Sequence, residues 1–481
     1  DFALSLITSI NPMIKWLLSF VTVILREQAT NGHLPSSNLP PLYATRPCIS
    51  SFSMLEYGRT TYFLRCNFMK TAGIIAEYNP FHTGHEYQIQ YVRKELGADY
   101  IIVAMSGDFV QRGTPALLSK YTRTKMALLG GADLILELPV SVSTASAEFF
   151  ARGGVQLLDG LVVVDTLCFG SECGDTSVLM DLAQVLSLEP AAFKEALLLH
   201  LKEGHSFPKA RSLALSSFLP NFKDIAGILD SPNNILGIEY CKSIIREKST
   251  ITPVAIKRQG NAYHQTALSE NSFPSASAIR KAVSESCDSS SDIFKNMIQN
   301  FIPLSCQDVF RQALLQKESL VENDLDLLYR YRLLMENEES LCNYLDLSPS
   351  LARRLLACRD QYTSFSQFTA LLKTREVTLT RIQRALLHML LQIRQVPKQI
   401  PYARVLGFRR ESAPLLGQIK KEGTIPLLTK LSDAPSVLGQ NPQTLDLLKE
   451  TTFASNLYQN IIAQKKKAAC THEYRQQIVL L

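Results

Sequence analysis

His82 and His85, three residues apart and separated by Thr83-Gly84, are the residues of this sequence best suited to chemistry. They close the stretch Glu77-Tyr78-Asn79-Pro80-Phe81-His82-Thr83-Gly84-His85, which follows an apolar run at 71–76 and precedes a helical pattern at 86–96. Three roles suit such a pair. As zinc ligands they would need a third and usually a fourth partner, and the sequence has no HExxH element to supply one. As donors to a phosphate chain they would stabilise charge growing on a departing pyrophosphate, which is catalysis by positioning and electrostatics. As structural residues they would only complete a turn.

The hydrophobic pattern defines the elements that must position them. Apolar runs of strand length at 71–76, 100–105, 132–139 and 162–170 alternate with helical patterns at 86–96, 119–130 and 144–159. Continuous apolar strands separated by helices specify an α/β fold: a Rossmann-like, doubly wound parallel sheet covered on both faces. Ligands of such sheets bind beyond the carboxyl ends of the strands, where the loop after the first strand must lie. That loop enters a helix, whose N-terminal N–H groups and dipole favour an anion. Pro80 fixes its turn, and Gly84 offers no Cβ to keep a phosphate at a distance.

The rest of the chain bounds this reading. With 481 residues, 46% hydrophobic and 20% charged, it has room for two or three domains and is neither fibrous nor wholly disordered. A net charge of +6 suits an RNA or nucleotide partner without requiring one. The ten cysteines are scattered with no CxxC pair, as expected in a reducing, cytoplasmic setting. Residues 1–68 begin with Asp, hold the sole Trp16 and run through a Ser/Pro-rich stretch. They read as an N-terminal extension outside the core fold, with Met69 as the natural start. Their apolar segment 13–25 is broken by Lys15 and falls short of the ~20 residues a bilayer span needs, so no membrane association is expected. Strand signals fade after 285, and helical periodicity follows at 304–316, 323–345, 348–360, 366–375, 378–395 and 413–422. The expected division is therefore a catalytic α/β domain at 69–285 and a mainly α-helical, basic C-terminal domain at 286–481. Arg381, Arg384 and His388 would share one helix face there, and with Arg353, Arg354, Arg394 and 407–410 would offer a basic surface to RNA phosphates.

The HxGH element after the first strand resembles the HIGH-type signature of the nucleotidyltransferase superfamily. A second superfamily element, a Ser/Thr-rich phosphate loop ending in Arg, is matched by Ser275, Ser277 and Arg280 in "FPSASAIRKAV". Longer stretches, "GIIAEYNPFHTGHEYQI", "SGDFVQRGTPALLSKYTRTKMALLGGADLILELP", "FGSE", "SPNNILGIEY" and "AIKRQGNAYH", resemble the bacterial tRNA(Met) cytidine acetate ligase family over 69–481, most densely in the first half of that span. The resemblance implies a nucleotidyltransferase-type fold and an enzyme that joins acetate to ATP as acetyl-adenylate. That intermediate would then acetylate N4 of the wobble cytidine of elongator tRNA(Met), with Mg2+ expected beside ATP.

Carried over by motif, the nucleotide would be held by Ile75, Ala76, Glu77, Tyr78, Asn79, Pro80, Phe81, His82, Thr83, Gly84, His85, Glu86, Tyr87 and Gln88, with His82 and His85 catalytic. Gly170, Asn233 and Arg258 would complete the site, and the neighbouring Asn234 leaves the register of Asn233 open by one. The stretch 106–113 reads as exposed and polar, and Lys120 and Arg123 as a solvated helix face. Asp108, Gln111, Arg112, Lys120 and Arg123 are accordingly kept out of the site. Two other classes share part of the pattern. A small-molecule nucleotidyltransferase would not require the long basic C-terminal half, and a non-catalytic RNA-binding protein would need neither histidine.

Overall fold

The computed structural model describes residues 69–481 except 206, 220, 221, 223, 259–275 and 286–298, together with two short paired strands at 56–57 and 60–61. Residues 1–67 and 68–481 form separate units, and the reading of 1–68 as an extension lies outside the described residues.

Five parallel strands form the centre of the larger unit: β1 (Thr71–Ala76), β2 (Tyr100–Ser106), β3 (Leu134–Leu138), β4 (Thr166–Ser171) and β5 (Thr252–Lys257). Their order is β3-β2-β1-β4-β5. The chain winds outward from β1 through β2 to β3, then crosses back to β4 and β5. The reversal between β1 and β4 opens a crevice at their carboxyl ends. Alternation along β1 sends Ala72 and Ile74 to one face and Ile75 to the other. Helices α1 (Thr83–Lys94) and α2 (Lys120–Leu129) cover the first face through Ile89, Val92, Met126 and Ala127. Helices α3 (Ala147–Asp159), α4 (Thr176–Leu188) and α5 (Pro232–Glu247) cover the second through Phe150, Leu157, Leu182 and Ile238.

Two strands escape the hydrophobic pattern. β5 contains Pro253, which cannot donate to a ladder, and it is an end strand of the sheet, where proline is tolerated. The fading of strand signals after 285 is corrected by β6 (Ala403–Phe408), which pairs antiparallel with β3 and brings Arg404 opposite Glu137. A charge in a six-residue run hides a strand from a pattern search. Here the charge is neutralised inside: Arg404 meets Glu137 Oε2 and Glu473 Oε1, each at 2.6 Å. Two-residue strands β7 (Leu427–Leu428) and β8 (Val479–Leu480) lie parallel to β6. The remaining C-terminal chain is mainly helical, including α6 (Ala276–Glu285), α7 (Leu379–Leu391) and the long α8 (Pro442–Lys466). Among the described residues no helix is long and apolar enough to cross a membrane.

The basic face expected on α7 is also corrected. Arg384 is 9% exposed and bonds Asp346 at 2.8 Å, while His388 is fully buried between the carbonyls of Leu345 and Thr144. Polar residues at helical spacing face solvent only when they lack partners inside, and these two have them. The inward face of α7 docks on the turn at Gly113, whose φ is +77° and whose added Cβ would stand 2.3 Å from the Arg384 backbone nitrogen. Gly113→Ala is expected to destabilise the protein by about 2 kcal/mol or more, read as a lower midpoint in urea.

Candidate nucleotide-binding active site

His82 ends the loop as the N-cap of α1, accepting from the Gly84 N–H through Nδ1 at 3.1 Å. His85 Nδ1 accepts from the His82 N–H at 3.3 Å. Because both Nδ1 atoms are acceptors, the neutral rings carry their protons on Nε2, leaving two N–H donors for a ligand. The rings stack with centroids 3.8 Å apart, and Tyr78 packs 4.7 Å from His85.

Burial, then the Arg258 and Arg280 charges, push the His82 pKa down to about 3, and burial beside His82 and Arg258 holds His85 well below the usual range. The rings are therefore neutral donors at physiological pH. Unfolded histidines take up protons below about 6.5, whereas the folded rings do not until far lower pH. The His82 contribution to stability is full above pH 6.5 and falls as pH drops from there towards about 3, by about 1.4 kcal/mol per pH unit, and His85 acts in the same direction. His388, lowered to about 4 mainly by burial, acts in the same direction. Urea titrations at pH 7.5 and 5.5 are expected to give the lower midpoint at 5.5, with a smaller difference in His82→Asn.

The loop residues carried over by motif divide by environment. Ile75, Tyr78, Asn79, Pro80, Phe81 and His82 are buried, whereas Ala76, Glu77, Thr83, Gly84, His85, Glu86, Tyr87 and Gln88 are half-buried. Several have visible anchoring roles. Asn79 accepts the Leu117 N–H on Oδ1 at 2.7 Å, and Gln88 donates to the Cys168 carbonyl at 3.1 Å, tying α1 to β4.

Across the crevice, the loop after β4 meets the start of α5. Glu172 accepts from Asn233 Nδ2 at 2.6 Å and from the Asn234 N–H at 2.9 Å. Buried Asn234 accepts from Ser171 Oγ at 2.8 Å and from the Cys173 N–H at 3.0 Å. Asn234 thus knits loop to helix, while Asn233 is held by Glu172. Gly170 lies under the Arg258 stem, where an added Cβ would meet Cγ at 3.3 Å. Arg280 donates to the Asn79 carbonyl at 2.7 Å and to Ser277 Oγ at 3.0 Å, which brings the SxSxxR element to the histidine loop. Ser275 lies outside the described residues. Burial lowers the pKa of Arg112 and Arg280, opposed at both by Glu77, and Glu172 is the carboxylate whose charge acts on Arg258. Half-buried Arg112 and Arg280 and exposed Arg258 put three guanidiniums around the loop, which suits an anionic ligand.

The stretch 106–113 and the next helix are not the solvated surface their polarity suggests. Asp108 is buried and accepts the Lys120 N–H at 2.8 Å. Lys120, wholly enclosed, reaches Glu137 and Glu473, each at 2.6 Å, and Ser455 Oγ at 2.7 Å. Arg123 is the residue that sequence reasoning missed. Fully buried, it donates to the carbonyls of Leu118 at 2.9 Å, Glu77 at 2.6 Å and Ser106 at 3.0 Å, and to that of Gly107. It fixes the carboxyl ends of β1 and β2, and with them the entry of the histidine loop. The available signal was a second cation one turn after Lys120, on the helix that follows β2.

The HIGH Nucleotidyl Transferase family model matches residues 69–473. Over 421 residues the chain is 37% identical to the tRNA(Met) cytidine acetate ligase of Acetivibrio thermocellus, a match covering 86% of this chain and 100% of that relative. The chain belongs to the tRNA(Met) cytidine acetate ligase family. It is accordingly an enzyme, a ligase built on the HIGH nucleotidyl transferase fold. A family relative from Clostridium perfringens strain SM101 is 39% identical over 406 residues, covering 81% of this chain and 95% of its own. Among solved structures of this ligase type, apo Thermotoga maritima TmcAL matches with a TM-score of 0.79 at 29% identity, covering 86% of this chain and 100% of that one. The same protein bound with alpha-thio ATP matches with a TM-score of 0.77 at 28% identity, with the same coverage.

Proposed function

We infer that this protein activates acetate with ATP and acetylates N4 of the wobble cytidine of elongator tRNA(Met). The observation that carries the reading is the stacked, neutral His82–His85 pair at the N-terminus of α1, surrounded by Arg112, Arg258 and Arg280 at the sheet's switch point. A relative of the same fold that binds an ATP analogue supports it.

In the first step an acetate oxygen attacks the α-phosphorus, the bond to the β-phosphate oxygen breaks, and pyrophosphate leaves with the electron pair. His82 and His85 would donate Nε2–H bonds to phosphate oxygens as charge builds, with Arg258 and Arg280 adding fixed positive charge. Residues 75–88 would wrap the nucleotide, Gly170 would admit it closely, and Asn233 would meet its sugar or base. In the second step the cytidine N4 attacks the acetyl carbonyl, AMP departs and N4 loses a proton. Among the described residues the loop offers no group of three metal-ligating side chains, and Mg2+ would enter with ATP and offset the charge of its phosphates.

The division at 285 is proposed on function: residues 286–481 would contact tRNA, with exposed Arg353, Arg354, Arg394 and Arg410 rather than the buried face of α7 meeting phosphates. A cytoplasmic setting goes with that substrate. The test is ATP–pyrophosphate exchange. Exchange that requires acetate supports the reading, whereas exchange driven by another acceptor and not by acetate would replace it with a small-molecule nucleotidyltransferase.

A further inference from the structure

The helix Ala191–Lys202 ends in a turn that gathers three metal-ligating side chains outside the site described above. His200 lies in its last turn and Glu203 follows as its C-cap. Gly204 then adopts φ +86°, a left-handed conformation that glycine takes without penalty. The reversal is held by the Gly204 N–H on the Leu201 carbonyl at 3.1 Å and the His205 N–H on the His200 carbonyl at 3.2 Å. It returns His205 to the side of His200. His200 Nδ1 stands 2.9 Å from Glu203 Oε2, His205 Nε2 stands 3.8 Å from the same oxygen, and the three ligand atoms all lie within 4.8 Å of one another.

The geometry points to a binding site for a divalent transition metal of the zinc class, formed by His200 Nδ1, Glu203 and His205 Nε2. Ligand atoms around a tetrahedral zinc with bonds near 2.0–2.1 Å are spaced about 3.3 Å apart, and the two measured separations bracket that value. Two imidazoles and one carboxylate suit zinc, cobalt or nickel rather than Mg2+ or Ca2+, which prefer oxygen ligands. His200 is largely covered, at 22% side-chain exposure, while His205 at 41% and Glu203 at 48% leave a metal accessible to water as a fourth ligand. Without a metal the same groups would form only an ion pair at a helix C-terminus, so the two readings differ in an observable.

Cobalt(II) titrated into the full chain is the test, because its visible absorption reports a nitrogen and oxygen site and separates it from thiolate binding at the cysteines. Expected are visible bands saturating at one equivalent, lost in the His200→Ala/His205→Ala double variant and formed at least about tenfold more weakly in Glu203→Gln. Helical circular dichroism and acetate-dependent pyrophosphate exchange should not change in either variant, since these residues stand outside the nucleotide loop. Absence of the bands in the parent chain, or equal bands in the double variant, would overturn the site.

Discussion

His85→Ala should lower acetate-dependent ATP–pyrophosphate exchange about 10²–10³-fold, the usual effect of removing one preorganised donor to developing charge. Its Nε2–H is free for a ligand because Nδ1 is occupied by the His82 backbone N–H. His82→Ala should cost as much in exchange and, in addition, about 1 kcal/mol of stability, since its Nδ1 caps α1 at the Gly84 N–H. Asparagine separates these contributions: His82→Asn keeps an N-cap acceptor but loses the ring stacked on His85 at 3.8 Å. It should restore the urea midpoint while exchange stays low. Exchange within twofold of the parent in both alanine variants would remove the pair from the chemistry.

The second large effect belongs to Arg123→Met. Removal of this guanidinium leaves the carbonyls of Glu77, Ser106, Gly107 and Leu118 without their buried donor. The expected loss is about 3 kcal/mol or more in urea unfolding, because orphaned buried acceptors each cost about 1–3 kcal/mol. Because Glu77 opens the histidine loop, the variant should also lose exchange activity at temperatures where it remains folded. Arg123→Lys keeps the charge but offers one nitrogen where the fork offers three, so it should recover only part of the stability and little of the rate. Full activity in folded Arg123→Lys would mean that the loop does not depend on the fork.

The histidine pair and Arg123 mark the limit of what sequence alone discloses. His82 and His85 were legible because a strand, a turn and a helix follow one another in order, and chain order alone puts them at a strand's carboxyl end. The first four strands were legible for the same reason: each is a continuous apolar run. β5 and β6 were hidden by Pro253 and Arg404, whose suitability depends on an edge position and on partners 267 and 69 residues away. Lys120, Arg123, Arg384 and His388 read as surface because polarity is a local property. Their burial rests on partners such as Glu473 and Asp346 that no local pattern reveals. Charged residues enter cores only with such partners, and those pairings are made by topology.

The crevice is expected to deliver an acetyl group to a tRNA base. Mass spectrometry of elongator tRNA(Met) incubated with the protein, ATP and isotope-labelled acetate measures it directly. The expected product carries one labelled acetyl group on the wobble cytidine, requires ATP and disappears with His85→Ala. Unmodified tRNA in the presence of all three components, or label on a different nucleotide, would contradict it.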